Sequence, residues 1–495
     1  MARTLDGSLV DSIQLDRAGD APLHRQLYGA LRDLILNGRL SGDTRLPSSR
    51  VLTSRLGVSR FTVLTALEQL IAEGYLRTVP GGGTYVQNGL ARTRARSDAP
   101  SQSRVGAADT LLSNLARNIN WYAAAPDRQI QRLLNMALPD SRLFPVQTWT
   151  RLTKQVYSQI DTELGAYSSA TRVSSLEEQI AKHLVISRGM QCDPEQVVST
   201  FGAHHAVSLL SEFFLDKGDT VAFEEPGMHA IRSIFLSQGC TVVPIHVDQD
   251  GPNPDSVPKN ARPKLAFVTA AKQQPMNIAM PVKRKLEFLN WADENNVLII
   301  EDDLGSEFRY QGQPIPPLKA LDKQGRVIFV GAFSNSMLQT LRIGYAVLPH
   351  DLAREFRNMR AVRYRAMPQL TEAVMAKFIE EGHYARHLYK VRREYAQRQK
   401  ALSDILANKF RDIFEPQKPS DGFYIVCMFR DQSRNDEAAS ELCNQHGLGV
   451  TYLSGYYREP TVAKKGLLIG FAASTPREIT GAAPELEWCL RNSIS

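Results

Sequence analysis

Five short, almost wholly apolar runs constrain this chain more than any other feature. They are Val221-Ala222-Phe223, Thr241-Val242-Val243-Pro244-Ile245, Leu265-Ala266-Phe267-Val268, Val297-Leu298-Ile299-Ile300 and Val327-Ile328-Phe329-Val330. A strand with one wet face alternates polar and apolar residues, whereas a strand covered on both faces does not. The runs, separated by helical patterns, therefore predict an α/β fold with a mostly parallel central sheet. From 351 to 410 the pattern is helical and charged, and 421–495 read as a smaller α/β unit.

No stretch of 18 apolar residues exists, which excludes a membrane-spanning helix, and the N-terminus lacks a signal-like apolar stretch. The five cysteines are scattered with no C-x-x-C pair, so neither a disulfide framework nor a zinc site is expected. A cytoplasmic protein without membrane contact is the expectation. The net charge of +7 is unevenly placed. Residues 1–105 carry 14 Arg, no Lys and 9 acidic residues, while the remainder carries 45 basic and 43 acidic residues. A basic N-terminal part on a near-neutral body suggests an anionic partner for that part.

Residues 22–86 read as a compact helical unit with a hairpin. Leu23, Leu27, Leu31, Leu34 and Ile35 recur at helical spacing. A short helix after Pro47 carries Val51, Leu52 and Leu56 inward and stops at Gly57. Ser59 is the expected N-cap of the next helix, which buries Val63, Ala66, Leu67, Leu70 and Ile71. Two strands, 75–77 and 84–86, flank Pro80-Gly81-Gly82-Gly83. This is the order of a winged helix-turn-helix, whose second helix enters the major groove with its first turn toward the bases. Ser59, Arg60, Phe61 and Thr62 occupy that turn. Arg60 offers a fork to guanine, Ser59 and Thr62 offer hydroxyls to phosphate, and Arg50 and Arg55 can reach the backbone. Gly82 lies in a wing tip able to approach a groove.

The segments Leu46-Pro47-Ser48-Ser49-Arg50, Leu56-Gly57-Val58-Ser59-Arg60-x-Thr62-Val63 and Ala66-Leu67-Glu68-Gln69-Leu70-x-x-Glu73-Gly74-Tyr75-Leu76 resemble the GntR-type bacterial regulators. The resemblance implies that Arg50, Arg60 and Thr62 touch double-stranded operator DNA. Further on, Leu143-Phe144-Pro145-x-x-x-Trp149, Gly202-Ala203-His204-His205-Ala206, Glu225-Pro226-Gly227, Glu301-Asp302-Asp303, Gly331-x-Phe333-Ser334, Leu341-Arg342-x-Gly344-Tyr345 and Gly466-Leu467-Leu468-x-Gly470-Phe471 resemble fold-type I aminotransferases in that order. The whole chain resembles the MocR subfamily, which joins the two. The implied division is a DNA-binding domain over 17–88, a linker over 89–115, and large and small aminotransferase-like domains over 116–350 and 351–495.

That resemblance also locates a pyridoxal phosphate site and shows how it has changed. The family's Schiff-base lysine follows Phe-Ser, and here that position is Asn335, with no lysine between 331 and 345. An amide cannot form the covalent link. The tyrosine expected two residues after Asp302 is Leu304, and the ring-stacking tyrosine is Met228. A phosphate-binding hydroxyl is Ala332, the small residue before Gly202 is Phe201, and the carboxylate-clamping arginine aligns with Leu468. What remains is Asp302 for the pyridine nitrogen, with Arg342 and the amides of Gly202, Ala203 and His204 for the phosphate; Ser334 belongs to the same expected pocket. His204 and His205 read equally as core or surface residues, and Lys272 and Gln273 as polar lining of an altered pocket.

The chain therefore reads as a transcription regulator whose aminotransferase-like domain serves dimerisation and effector sensing without catalysis. A head-to-tail homodimer and an unidentified small-molecule effector are implied, and pyridoxal phosphate at most non-covalently. One alternative is a regulator that does hold pyridoxal phosphate non-covalently. The other is a true aminotransferase with an appended DNA-binding domain.

Overall fold

The computed structural model describes residues 13–17, 19, 21–90, 132–160, 171–310, 315–416 and 422–493. Its contacts divide the chain into two units, residues 1–110 and 111–495. The expected linker, beyond residue 90, lies outside the described residues, as does the expected start of the large domain.

In the N-terminal unit, α1 (Leu23–Leu36), α2 (Ser49–Leu56) and α3 (Arg60–Ala72) precede an antiparallel hairpin of β1 (Leu76–Val79) and β2 (Gly83–Val86). Serine hydroxyls start both short helices. Ser48 accepts from the Val51 amide at 3.4 Å and Ser59 from the Thr62 amide at 3.1 Å. Such caps are worth about 1 kcal/mol each. Gly57, at φ 62°, ends α2 in a left-handed turn that a side chain would strain. Leu27, Leu31, Ile35, Leu52, Val63, Ala66, Leu70, Leu76 and Val86 close one small core. Two residues expected inside are not. Val51 is exposed because Leu52 and Leu56 already fill the inward face of a helix only eight residues long. Ile71 is exposed because Leu67 and Leu70 set the buried stripe and Ile71 lies about 100° around from Leu70.

The larger unit begins its described part with α4 (Val146–Tyr157) and α5 (Ser175–Arg188). Then follow β3 (Val197–Thr200), α6 (Ala203–Phe214), β4 (Thr220–Glu225), α7 (His229–Ser237), β5 (Thr241–Asp248), β6 (Gly251–Pro252), β7 (Pro263–Val268), α8 (Val282–Glu294), β8 (Leu298–Asp302), β9 (Val327–Ala332) and β10 (Gly344–Val347). These strands form one sheet in the order β3-β10-β9-β8-β7-β4-β5-β6. From β9 to β5 all neighbours are parallel, while β10 runs antiparallel to both β9 and β3. The mostly parallel sheet read from the apolar runs is present, and the reason those runs do not alternate is visible. Val221, Phe223, Leu265, Phe267, Ile300, Ile328 and Val330 enter the core under α6 and α7. Their neighbours Ala222, Ala266, Val268, Ile299 and Val327 enter the opposite core with Phe288 and Ala292 of α8.

Three helices follow, α9 (His350–Tyr364), α10 (Gln369–Glu380) and α11 (His383–Lys409). The C-terminal part adds β11 (Phe414–Pro416), β12 (Tyr424–Phe429), α12 (Asp436–Gln445), β13 (Thr451–Tyr452), β14 (Gly466–Gly470) and α13 (Pro476–Asn492). Its four strands pair antiparallel in the order β11-β12-β14-β13. Among the described residues, no helix is long and apolar enough to cross a membrane.

Where β3 hands over to α6, its partner β10 begins, and their backbones touch. A Cβ on Gly344 would stand 2.6 Å from the Gly202 Cα. Gly344→Ala should therefore force the two loops apart and destabilise the larger unit by about 1–3 kcal/mol. Its thermal unfolding checks this: an unchanged midpoint would mean that the contact is slack.

Candidate functional site

In the N-terminal unit the expected DNA-facing residues occupy one exposed turn. Arg60 is exposed, Phe61 is 78% exposed, and Thr62 is half-buried. Arg50 is exposed on α2. The Ser59 and Thr62 hydroxyls are not both free for phosphate, as the sequence reading had them. They bond each other at 2.8 Å, and Ser59 also accepts the cap bond. One hydroxyl proton is used within the pair, so only one is left to donate outward. In the wing, Gly82 is half-buried, and its carbonyl accepts from the Tyr85 hydroxyl at 3.1 Å. Tyr85 is itself overlain by the Arg77 guanidinium, 5.4 Å from the ring centroid, and Arg77 pairs with Asp43 at 2.7 Å. The wing tip is thus held by the Tyr85 side chain of its own second strand.

In the larger unit the topology collects a second site. Because β10 is antiparallel to β9 and β3, its start lies beside their ends: Gly344 pairs with Ala332 and with Thr200. Asp302 ends β8 one strand further, opposite Val330. The loops 201–203, 303–306, 333–336 and 341–343 therefore share the carboxyl edge of the parallel strands, where open α/β sheets bind ligands.

The first feature of this edge is an anion cup. Gly202 (φ 91°) precedes the first turn of α6, formed by Ala203 and His204, so the free amides of that turn point outward. The Ser334 Oγ and the Arg342 guanidinium stand 3.9 and 4.0 Å from where a Gly202 Cβ would be. Arg342 is held at φ 52°, a conformation that costs a non-glycine residue energy and that clusters at ligand sites. It has no acidic partner among the described residues and is exposed. His204 is kept neutral by burial and then by the Arg342 charge. His205 turns away: its Nδ1 accepts from the Phe201 amide at 3.1 Å, and its ring meets Tyr364 at 4.5 Å. Burial, followed by the charges of Arg342 and Arg360, holds its pKa down to about 4.

The second feature is a row of carboxyl groups. Glu224 accepts from the Thr269 amide and hydroxyl, each at 2.7 Å, and from Gln273. Glu301 accepts from the Leu318 and Lys319 amides at 2.8 and 2.9 Å. Asp303 pairs with Arg188 at 3.0 Å. Asp302, equally buried, has no such partner among the described residues. Burial, then the charges of Asp303, Glu307 and Glu301, pushes its pKa up to about 7. A buried carboxyl without a partner is costly to the fold and suited to a ligand that brings a hydrogen-bond donor or a positive charge.

The other expected pocket residues divide. Asn335 and Ser334 are half-buried in the turn after β9, and Leu304 is half-buried beside Asp303. Met228 starts α7 and packs against the core beneath it. The Phe201 ring is taken up edge-on by His205 and Tyr364, at 5.0 and 6.1 Å. Leu468 is fully buried at the centre of β14, opposite Val426. Gln273 does not line a pocket as expected. Its amide donates to the carbonyls of Pro226 and Gln274, and its oxygen accepts from Met276, so it ties two loops together. Lys272 is buried too, its ammonium 4.9 and 4.6 Å from the ring centroids of Phe423 and Tyr424. Tyr364, which completes the Phe201–His205 trio, was not found from sequence, since it closes α9 with no motif around it.

Comparison with known proteins gives both units relatives. Residues 23–86 match the gntR family of bacterial regulatory proteins, and residues 133–485 match the class I and II aminotransferases. The probable rhizopine catabolism regulatory protein MocR of Rhizobium meliloti is 34% identical over 94% of this chain and 92% of its own. The pyridoxine biosynthesis transcriptional regulator PdxR of Corynebacterium glutamicum is 29% identical over 90% of this chain and 91% of its own. Among solved structures, a kynurenine aminotransferase of Pyrococcus horikoshii superposes with a TM-score of 0.70 at 21% identity, covering 79% of this chain and all of that one. The last likeness speaks to the fold.

Two tests follow from the geometry. Arg60→Ala should cost about 1–3 kcal/mol of operator affinity and relax base preference, whereas Arg50→Ala should weaken all sequences alike and lower the salt slope by about one. Anisotropy titrations on operator and random DNA decide; equal losses on both for Arg60→Ala would remove it as the base reader. Asp302→Asn should raise thermal stability increasingly from pH 5 to pH 8. The folded pKa of Asp302 lies above that of a free carboxyl, so the wild type loses stability as pH rises through about 7. A pH-independent difference would contradict this.

Proposed function

The chain belongs to the class I and II aminotransferase family through its larger unit and, as a whole, is a transcription regulator of the MocR type; we propose that its larger unit senses a small molecule and pairs two chains without catalysing a reaction. In this reading residues 17–88 hold the operator, 89–115 link, and 116–350 with 351–495 form the sensor. Arg60 and Phe61 face the bases, and Arg50, Thr62 and the Gly82 wing face the backbone. Effector binding acts by a difference in affinity between DNA-competent and incompetent arrangements of a head-to-tail homodimer.

The observation that carries the reading is the pairing of an intact anion cup with Asn335. The Gly202–His204 amides, Ser334 and Arg342 fit a phosphate or another small anion. Asp302 fits a protonated ring nitrogen. Pyridoxal phosphate, where bound to enzymes of this fold, supplies an electron sink after covalent attachment to a lysine. Position 335 offers an amide, which neither forms that attachment nor shuttles a proton. The residues present therefore fit the cofactor as a reversible ligand only, and fit other anionic ligands equally.

The unpartnered Asp302 favours a second reading, in which non-covalent pyridoxal phosphate is itself the effector. A true aminotransferase is disfavoured by Asn335 and by Leu468, which leaves no clamp for a substrate carboxylate.

The purified chain incubated with pyridoxal phosphate should show no adduct after borohydride, by mass or by absorbance. Asn335→Lys alone should recover little transaminase activity. A stoichiometric trapped adduct on the wild type would overturn the non-covalent account. Micromolar binding that shifts operator affinity would establish the second reading over the first.

A further inference from the structure

Away from both sites, α12 and α13 pack side by side. Each brings two donor residues to the contact: Cys443 on α12 with His446 capping its end, and Glu485 and Cys489 four apart on α13. Cys443 and Cys489 are fully buried and lie beside each other. Just outward, the His446 Nδ1 lies 2.5 Å from a Glu485 carboxylate oxygen. One donor atom from each of His446, Glu485 and Cys489 falls within 4.8 Å of the other two. The Trp488 ring packs against the His446 ring at 4.8 Å and sets its orientation.

We propose that Cys489, His446 and Glu485, with Cys443 as fourth donor, form a binding site for a zinc-like divalent cation that clamps α12 to α13. Thiolate, imidazole and carboxylate are the donors a tetrahedral zinc site uses, and a set holding two thiols and one carboxylate does not suit magnesium or calcium. Donors about 2.0–2.3 Å from such an ion stand roughly 3.5 Å apart, and the donor atoms of His446, Glu485 and Cys489 already lie within 4.8 Å of one another. On binding, two sulfur–metal bonds form and two thiol protons leave to solvent, while His446 coordinates neutral and Glu485 ionised. The sequence expectation of no metal site rested on the lack of a C-x-x-C pair. Here the two halves of the donor set lie on different helices, 39 residues apart between His446 and Glu485.

The test is Co2+ titration of the full-length, metal-stripped chain under a non-chelating reductant. One equivalent should produce a near-ultraviolet thiolate-to-cobalt charge-transfer band, bleached by one equivalent of Zn2+. His446→Ala and Cys489→Ser should each weaken binding roughly tenfold or more. Cys192→Ser, on a thiol elsewhere in the unit, should leave the band unchanged. No thiolate band at one equivalent, or a band of unchanged affinity in the His446→Ala chain, overturns the proposal. His446 lies at the surface, so that variant keeps the test valid should Cys489→Ser fail to fold.

Discussion

The backbone contact between Gly202 and Gly344 organises the larger unit. With no side chain at either position, the start of β10 closes to within van der Waals distance of the turn leading into α6. That approach brings the free amides of the α6 first turn against Arg342, itself in a left-handed conformation, and against Ser334 on the neighbouring turn. Helix dipole, hydroxyl and guanidinium then point at one volume. The antiparallel setting of β10 in an otherwise parallel stretch puts all of them on the same edge as Asp302.

The same edge stores instability. Of its buried carboxyls, Glu224, Glu301 and Asp303 have partners and Asp302 has none among the described residues. A protein selected for stability alone would replace it, since an unpaired buried carboxyl opposes folding at neutral pH. Its presence beside an anion cup is what a ligand with a negative head and a donor at its far end would explain. On the proposed reading, Asn335 stands where the resembling enzymes carry their lysine; an amide there leaves reversible binding, which suffices for a molecule whose output is a change in DNA affinity.

Much of this was legible in the sequence because it rests on local rules. The caps at Ser48 and Ser59, the stop at Gly57 and the two-faced strands follow from turn chemistry and from side-chain period. Asp302, Arg342 and Asn335 stand in motifs contiguous along the chain. What was missed depends on contacts between distant segments. The use of the Ser59 and Thr62 hydroxyls on each other needs the folded turn, and the tying role of Gln273 needs Pro226 and Met276 in place. Tyr364 meets Phe201 and His205 across more than 150 residues of chain, so no spacing rule reports it.

The central claim is that the aminotransferase-like unit governs DNA affinity by reversible binding at the Arg342 cup. The most direct measurement is operator affinity of the full-length chain, by anisotropy, with and without the small-molecule fraction of the source cells. The account predicts a shift of about fivefold or more in the wild type and none in Arg342→Ala, with both chains binding the bare operator equally. The same shift in Arg342→Ala as in the wild type, or amino-group transfer accompanying it, would contradict the account.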